Sequence, residues 1–401
     1  MKVIQINCVY PEGSTGRITA DIHRYLLKHS VQSEVLYGRG KRVNEKGAVK
    51  VCSELYAKMN NLFSRLTGVM YGGAFFSTNR IIRTIKKEKP DIVHLQCING
   101  YFVNIFRLLD FLKKNKVKTV LTLHAEFMYT GSCSHAFECE KWISGCGNCP
   151  RNKAEIKSLF FDNTAYSNRR LKKVYEGFDE LRVVSVSPWL FKRAVKSPIL
   201  KNKNHKVILN GVDTAVFKPR NTENLKKKYA AKNEKIIFHA TAFFSSEKCH
   251  PKGGYYVIEL AGRMPQVKFL VAGKAKKISY LPENVVYLGE ITDPKKLAEF
   301  YSLSDLTLLT SKRETFSMVA AESFCCGTPV VGFEAGAPEM ISLSAFSEFV
   351  PYGNLKRLES AVENLLNLKA EKEAEICSEA ADLYDKNIMA ENYMKLYRSM
   401  L

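Results

Sequence analysis

The stretch SKRETFSMVAAESFCCGTPVVGFEAGAPEM, residues 311–340, decides the fold class of this chain. It holds an apolar helical pattern over residues 317–326 and a continuous apolar run over residues 329–333. Strands that are continuously apolar and alternate with helices are typical of parallel sheets covered on both faces. The stretch therefore predicts a loop, a helix and a buried strand of a doubly wound α/β domain.

The same alternation runs through the rest of the 401 residues, which are enough for two domains. The periodicity breaks at FKPRNTEN, residues 217–224, and residues 355–401 are helical in pattern. We therefore expect two facing Rossmann-like domains, residues 1–218 and residues 219–401, the second with C-terminal helices. Ligands of such sheets bind outside the carboxyl ends of the strands, so the candidate residues are those that follow strands.

The formal net charge of +21 is concentrated in the first half of the chain. Residues 1–218 carry 37 Lys and Arg against 17 Asp and Glu, whereas residues 219–401 carry 24 against 23. A charge excess of this kind attracts anionic partners. We expect the first domain to face nucleic acid, acidic lipid or a phosphorylated substrate.

The sequence predicts a cytoplasmic protein. Its first residues lack the long apolar core of a secretory signal. The uncharged run at residues 66–79 contains three glycines and is too short to cross a bilayer. This run, flanked by Arg65 and Arg80, is either the part that touches lipid or a buried linker. In a reducing compartment, most of the eleven cysteines are expected to be free thiols.

Four of these cysteines lie within seventeen residues, at Cys133, Cys139, Cys146 and Cys149. The last two have the Cys-x-x-Cys spacing of a zinc knuckle, and His135 is a substitute ligand. The spacing predicts a structural zinc site, with free thiols or a labile disulfide as the alternatives. In each case we expect the cluster to fix a loop and to take no part in catalysis.

Glu314 and Glu322 are the strongest candidate pair for binding a ligand. Eight helical residues span roughly 12 Å, about the length of a ribose and a diphosphate. Carboxylates accept hydrogen bonds from vicinal sugar hydroxyls, so the pair suits a nucleotide sugar. The backbone around Thr315, Phe316 and Ser317 opens the following helix and can face a phosphate. A solvated face is the alternative for two glutamates, but their apolar and small neighbours argue against it.

Basic and small residues after other strands complete the candidate site for a nucleotide sugar. Lys252 precedes a glycine-led helix and is a candidate diphosphate partner, with one of many surface lysines as the alternative. Gly16 and Arg17 open the helix after the first strand, although such a turn needs glycine for packing as well. His124 ends the strand KTVLTLH, which makes it a catalytic candidate.

The sequence resembles the retaining glycosyltransferases of family four, which have the two-Rossmann GT-B fold. The likeness covers nearly the whole chain, and residues 305–339 carry its most specific part. The four-cysteine loop is similar to one in a subset that builds bacterial surface polysaccharides. The matching positions are Asp305, Ser311, Glu314, Glu322, the Gly-x-Pro-Val-Val run at 327–331, the Gly-x-Pro-Glu turn at 336–339, and Asn-Gly-Val-Asp at 210–213.

The resemblance implies transfer from a UDP or GDP sugar to a glycan, with retention and without a catalytic metal. Glu322 would hold the donor ribose, Glu314 and His124 would contact the transferred sugar, Lys252 would neutralise the diphosphate, and Gly16 would allow its approach. Many relatives carry an arginine several residues before this lysine, and here Lys248 would take its place. It further implies a lipid-linked acceptor in capsule or lipopolysaccharide synthesis, and an enzyme peripheral on the inner face of an anionic membrane, with no nucleic acid partner. No cofactor is expected for catalysis, and zinc is expected only as a structural ion.

Two other functions fit parts of the sequence. A nucleic-acid-binding protein with a zinc knuckle would explain the charge and the cysteines, but it leaves the glutamate pair unexplained. A GT-B epimerase, phosphorylase or inactive donor-binding subunit would keep the fold and change the chemistry. The presence of Glu314, Glu322, Lys252 and His124 argues against an inactive protein.

Overall fold

The computed structural model describes residues 1–229 and 234–401, which form two compact units. The first unit comprises Met1–Leu209 together with Met389–Leu401, and the second comprises Asn210–Ile388. This division differs from the predicted domains, residues 1–218 and 219–401, in two ways. The chain leaves the first unit earlier than predicted, and its last residues return to that unit.

The first unit is built on a seven-stranded parallel sheet. Its strands are β1 (Lys2–Val9), β2 (Gln32–Arg39), β3 (Ala48–Lys50), β4 (Ile92–Leu95), β5 (Thr119–Leu123), β6 (Leu181–Ser185) and β7 (Asn204–Val207). They lie in the order β3-β2-β1-β4-β5-β6-β7. Its helices are α1 (Gly13–Lys28), α2 (Glu54–Thr67), α3 (Phe75–Glu88), α4 (Ile105–Lys114), α5 (Lys141–Ser144), α6 (Thr164–Tyr175) and α7 (Pro188–Ala194).

The second unit has a six-stranded parallel sheet. Its strands are β8 (Lys235–Ser245), β9 (Val267–Lys277), β10 (Val285–Gly289), β11 (Leu306–Leu309), β12 (Val330–Phe333) and β13 (Ser347–Val350). They lie in the order β10-β9-β8-β11-β12-β13. Its helices are α8 (Glu223–Tyr229), α9 (Gly254–Arg263), α10 (Pro294–Leu303), α11 (Met318–Cys325), α12 (Pro338–Ile341), α13 (Leu355–Leu365) and α14 (Lys369–Tyr384).

The last helix, α15 (Lys386–Ser399), explains why the chain end belongs to the first unit. The Tyr397 hydroxyl shares a 2.7 Å hydrogen bond with Nδ1 of His94 in β4. The Tyr393 hydroxyl shares one of 2.9 Å with Oγ1 of Thr122 in β5. All four side chains are buried, so this helix completes the core beneath the first sheet.

The central strands are buried throughout, as their continuous apolar sequences predict. Each sheet reverses its strand order beside its first strand, between β1 and β4 and between β8 and β11. Such a switch point leaves space for a ligand outside the carboxyl ends of the strands. Across the described ranges, no helix combines the length and the apolar character needed to cross a membrane.

Candidate active site

A lysine and a glutamate meet at the switch point of the second sheet. Lys252 follows β8 and Glu314 follows β11, and Lys252 Nζ donates a 2.6 Å hydrogen bond to Glu314 Oε1. The two side chains are 31% and 27% exposed. A ligand can therefore reach both charges, and an anionic group on it can compete with Glu314 for the ammonium.

The backbone beside Lys252 is fixed by a close approach that only glycine allows. Gly253 has φ +68°, in the left-handed region, and a Cβ there would overlap the carbonyl oxygen of Thr310. The Thr310 hydroxyl donates a 3.2 Å hydrogen bond to the carbonyl oxygen of Lys252. The backbone of Lys252 and Gly253 is thus held against Thr310, the residue that follows β11.

Glu314 is positioned by the turn that follows β12. Its backbone N–H donates to the carbonyl oxygen of Ala335 at 3.0 Å. The Glu339 carboxylate accepts from the N–H groups of Ala335 (3.0 Å) and Gly336 (2.8 Å) and so closes the turn. The sequence presented Glu339 only as part of a matching motif. Its role as a turn-closing acceptor emerges from the structure.

Glu322 lies on α11 and is 3% exposed. The Tyr301 hydroxyl donates a 3.2 Å hydrogen bond to its Oε2. This burial excludes a solvated face for Glu322. A buried carboxylate is costly unless hydrogen-bond donors surround it, and the hydroxyls of a ligand can supply such donors.

The loop that enters α11 is also buried. Thr315, Phe316 and Ser317 are each less than one-tenth exposed. The Ser317 hydroxyl accepts a 3.2 Å hydrogen bond from the N–H of Ala320 and caps the helix. One capped helix therefore carries Glu322 and, at its start, the predicted loop residues, which directly follow Glu314 in the chain.

The remaining basic and glycine candidates lie in less specific surroundings. Lys248 is exposed, and its Nζ lies 5.6 Å from the centre of the Tyr255 ring. Arg17 is exposed on α1. Gly16 is buried, and a Cβ there would come within 3.1 Å of the carbonyl carbon of Pro11. The close packing of α1 on the preceding turn is thus one reason for a glycine at this position.

His124 follows β5 and carries a neutral imidazole. Burial lowers its pKa to about 4. Its Nε2 lies 2.8 Å from Oε1 of Gln96, whose amide Nε2 donates to Gln5 Oε1 at 3.1 Å. Because the Gln96 amide donates to Gln5, its oxygen accepts the Nε2–H of His124. Two glutamines that the sequence did not single out therefore fix the tautomer of the predicted catalytic histidine.

A buried ion pair anchors the loop after His124. Glu126 is fully buried, and Arg193 Nε donates to its Oε1 at 2.7 Å. The same carboxylate accepts from the Tyr129 hydroxyl at 2.8 Å and from the Ala136 N–H at 2.7 Å. The Arg193 guanidinium also lies 4.7 Å from the ring centre of Trp142. No local sequence pattern pointed to this pair, because its members are 67 residues apart.

The four clustered cysteines are free thiols in this structure. Burial raises the pKa of Cys133 to about 12 and that of Cys146 to about 11, which favours the protonated form. Among residues 1–229 and 234–401, no group of three or more His, Cys, Asp or Glu side chains is placed to hold a metal ion. The described side chains therefore do not form the tetrahedral set that zinc requires in this conformation. Zinc in this loop stays a prediction, which metal analysis and thiol titration of the purified protein would test.

Two family models match the chain. The model described as Glycosyltransferase Family 4 matches residues 15–216, and the one described as Glycosyl transferases group 1 matches residues 243–368. The chain belongs to glycosyltransferase family 4. The family expected from the sequence motifs is thus confirmed.

Two relatives of this glycosyltransferase match it over most of their length. WcaC of Escherichia coli K12, described as a colanic acid biosynthesis glycosyl transferase, is 22% identical and covers 100% of both chains. A 41.2 kDa protein in the cps region of Klebsiella pneumoniae is 27% identical over 86% of this chain and 89% of its own. The solved structure of Anabaena HepE in complex with UDP-glucose has a TM-score of 0.65 and 14% identity over 100% of both chains. The predicted GT-B fold class is confirmed.

Proposed function

We propose that this glycosyltransferase moves a sugar from a nucleotide-diphosphate sugar to a lipid-linked glycan during synthesis of a surface polysaccharide, with retention of anomeric configuration. The observation that carries the proposal is the accessible Lys252–Glu314 pair at the β8–β11 switch point, followed eight residues later by the buried Glu322 on α11. UDP-glucose in the HepE structure and colanic acid biosynthesis in the name of WcaC support it.

In this proposal the second unit binds the nucleotide diphosphate. The Glu322 carboxylate accepts hydrogen bonds from the ribose hydroxyls. Lys252 exchanges its pairing with Glu314 for the diphosphate, which frees Glu314 to accept hydrogen bonds from the transferred sugar. The amides of residues 316–318 at the start of α11 face the phosphate oxygens. These groups stabilise the charge that grows on the leaving diphosphate without a divalent metal.

The proposed reaction occurs on one face of the donor sugar. The bond between the anomeric carbon and the diphosphate oxygen breaks, and the bond to the acceptor oxygen forms on the same side. The acceptor hydroxyl gives its proton to the departing diphosphate. His124 of the first unit is neutral because burial lowers its pKa to about 4, so in this proposal it acts as a hydrogen-bond partner and not as a cation.

Glu322→Ala tests the donor assignment. We expect one of UDP, GDP, ADP, CMP or dTDP to raise the Tm of the wild type and not that of the variant. At a hundred times its dissociation constant, a ligand adds about 2.7 kcal/mol of stability, which a thermal-shift assay resolves. The enzyme is then incubated with the intact nucleotide sugar and acceptor. The products show whether it catalyses transfer, epimerisation or phosphorolysis. A nucleotide that shifts both proteins equally would remove Glu322 from the donor site, and no shift with any nucleotide would overturn the proposal.

A further inference from the structure

Helix α2 exposes its apolar face and buries its small and polar one. Leu55, Met59 and Leu62 are 71%, 59% and 53% exposed and recur at the spacing of one helical face. The buried face of the same helix presents Ala57, Asn60 and Ser64. A surface helix of a soluble protein normally shows the opposite arrangement, since burying apolar side chains is what stabilises its packing.

Two further exposed apolar segments adjoin this helix. Phe76, at the start of α3, lies 5.7 Å from the Tyr56 ring, measured between ring centres. The N–H of Leu159 donates a 2.8 Å hydrogen bond to the carbonyl oxygen of Arg65, which places the loop at residues 159–161 beside the end of α2. We call this surface the apolar rim. Its members are Leu55, Met59, Leu62, Phe63, Leu66, Phe75, Phe76, Leu159, Phe160 and Phe161, all more than one-third exposed.

Behind the rim lies a groove of about 870 Å³ between α2, α3, α4 and α6. Phe63 and Phe75 belong both to the rim and to the groove lining, so the two surfaces are continuous. The lining also contains the cations Lys86, Arg107 and Lys114, and an ion pair between Arg170 and Asp110. An apolar wall with basic side chains at its edge matches an amphiphile that carries an anionic head.

The charges along α2 and α3 are mostly basic, whereas the exposed Asp162 follows Phe161 of the rim. Between Glu54 and Glu88 the chain has no Asp or Glu, and it has six basic residues: Lys58, Arg65, Arg80, Arg83, Lys86 and Lys87. Lys58 and Arg65 are exposed on α2 among the apolar side chains. Apolar side chains interleaved with Lys and Arg on a helix are the pattern of surfaces that lie in the interface of an anionic bilayer.

We propose that the apolar rim docks this enzyme on a bilayer that contains anionic phospholipid. The apolar side chains enter the headgroup region while Lys58 and Arg65 contact lipid phosphates. The surface overlaps the uncharged run at residues 66–79 at Leu66, Phe75 and Phe76, whereas Met70, Tyr71 and Ala74 of that run are buried. Only the reason for docking rests on the proposed function: a lipid-linked acceptor would lie in the same membrane to which the enzyme binds.

Vesicle co-sedimentation of the full chain tests the surface. We expect the wild type to sediment with vesicles of 70% phosphatidylcholine and 30% phosphatidylglycerol, and much less with pure phosphatidylcholine. Met59→Ser/Leu62→Ser/Phe160→Ser is expected to lower the apparent affinity at least tenfold. Tyr280→Ser, an exposed aromatic of the second unit, is the matched control and should bind like the wild type.

A charge variant separates attraction to the headgroups from apolar insertion. Lys58→Glu/Arg65→Glu should weaken binding to the anionic vesicles and remove most of its salt dependence. Lys356→Glu/Arg357→Glu makes the same charge change on an exposed part of α13 and should have little effect.

Three results would overturn the docking surface: a wild type that stays in the supernatant, a triple variant that sediments like the wild type, or a wild-type dimer that the triple variant dissociates. The nucleotide thermal shift is measured on the same variants. A variant that keeps the Tm and the nucleotide shift of the wild type is folded. The same measurement also keeps the two proposals apart, because vesicle binding without a nucleotide shift would leave the surface standing and remove the proposed function.

Discussion

Two ion pairs of nearly equal length lie after strands in the two units and differ in burial. Glu126 and Arg193 in the first unit are 2.7 Å apart, with side chains 0% and 16% exposed. Glu314 and Lys252 in the second unit are 2.6 Å apart, with side chains near 30% exposed. The first pair is enclosed by Tyr129 and Trp142, whereas a ligand can reach the second. Burial, and not distance, therefore suggests which pair supports the fold and which one meets a substrate.

Arg193→Met should give the largest effect on stability. It leaves the Glu126 carboxylate buried without its cation, a loss that costs about 3–5 kcal/mol in proteins. We expect a clear fall in the free energy of unfolding measured with denaturant. Lys192→Met changes an exposed neighbour and should cost little. Equal losses in the two variants would mean that the buried pair does not support the fold.

Lys252→Ala should act on catalysis with little effect on stability. Loss of a group that stabilises the transition-state charge typically lowers kcat by about 10²–10³, and we expect a fall of this size in kcat/KM. Partly exposed pairs contribute only about 0–1 kcal/mol, so its Tm should stay near that of the wild type.

Lys356→Ala, on the exposed side of α13, is the control for this variant. A large loss of stability in Lys252→Ala with unchanged kcat/KM would reverse the roles assigned to the two ion pairs.

The buried histidines predict a smaller effect that depends on pH. Burial lowers the pKa of His239 to about 4, below the value of about 6.5 in an unfolded chain. Because the unfolded state takes up protons first, stability is full above pH 6.5 and falls as the pH drops toward 4. Each such histidine costs on the order of 1 kcal/mol at pH 5.5.

His239→Asn should therefore flatten the acid side of a Tm–pH curve. His29→Asn, which changes an exposed side chain, should leave the curve as it is. A wild-type Tm that does not change between pH 7 and pH 5 would contradict this expectation.

The second unit shows how much of the site could be predicted. Glu314, the loop into α11, Glu322 and the turn closed by Glu339 lie within residues 311–340, so a contiguous pattern revealed them. The burial of Glu322 and the pairing of Glu314 with Lys252, 62 residues away, came from the structure. Local periodicity can place a residue on a helix or in a loop, but it cannot identify its partner.

The sequence by itself determined the alternation of strands and helices, since apolar periodicity reflects burial over a few residues. It also determined the glutamate pair and the basic character of the first half. Only the tertiary structure decided that the chain end returns to the first unit, where Tyr393 and Tyr397 bond residues 271 and 303 positions away. Only the structure showed that the apolar face of α2 points outward. Both depend on which segments pack together over long separations, and such packing leaves no signal in a local stretch of sequence.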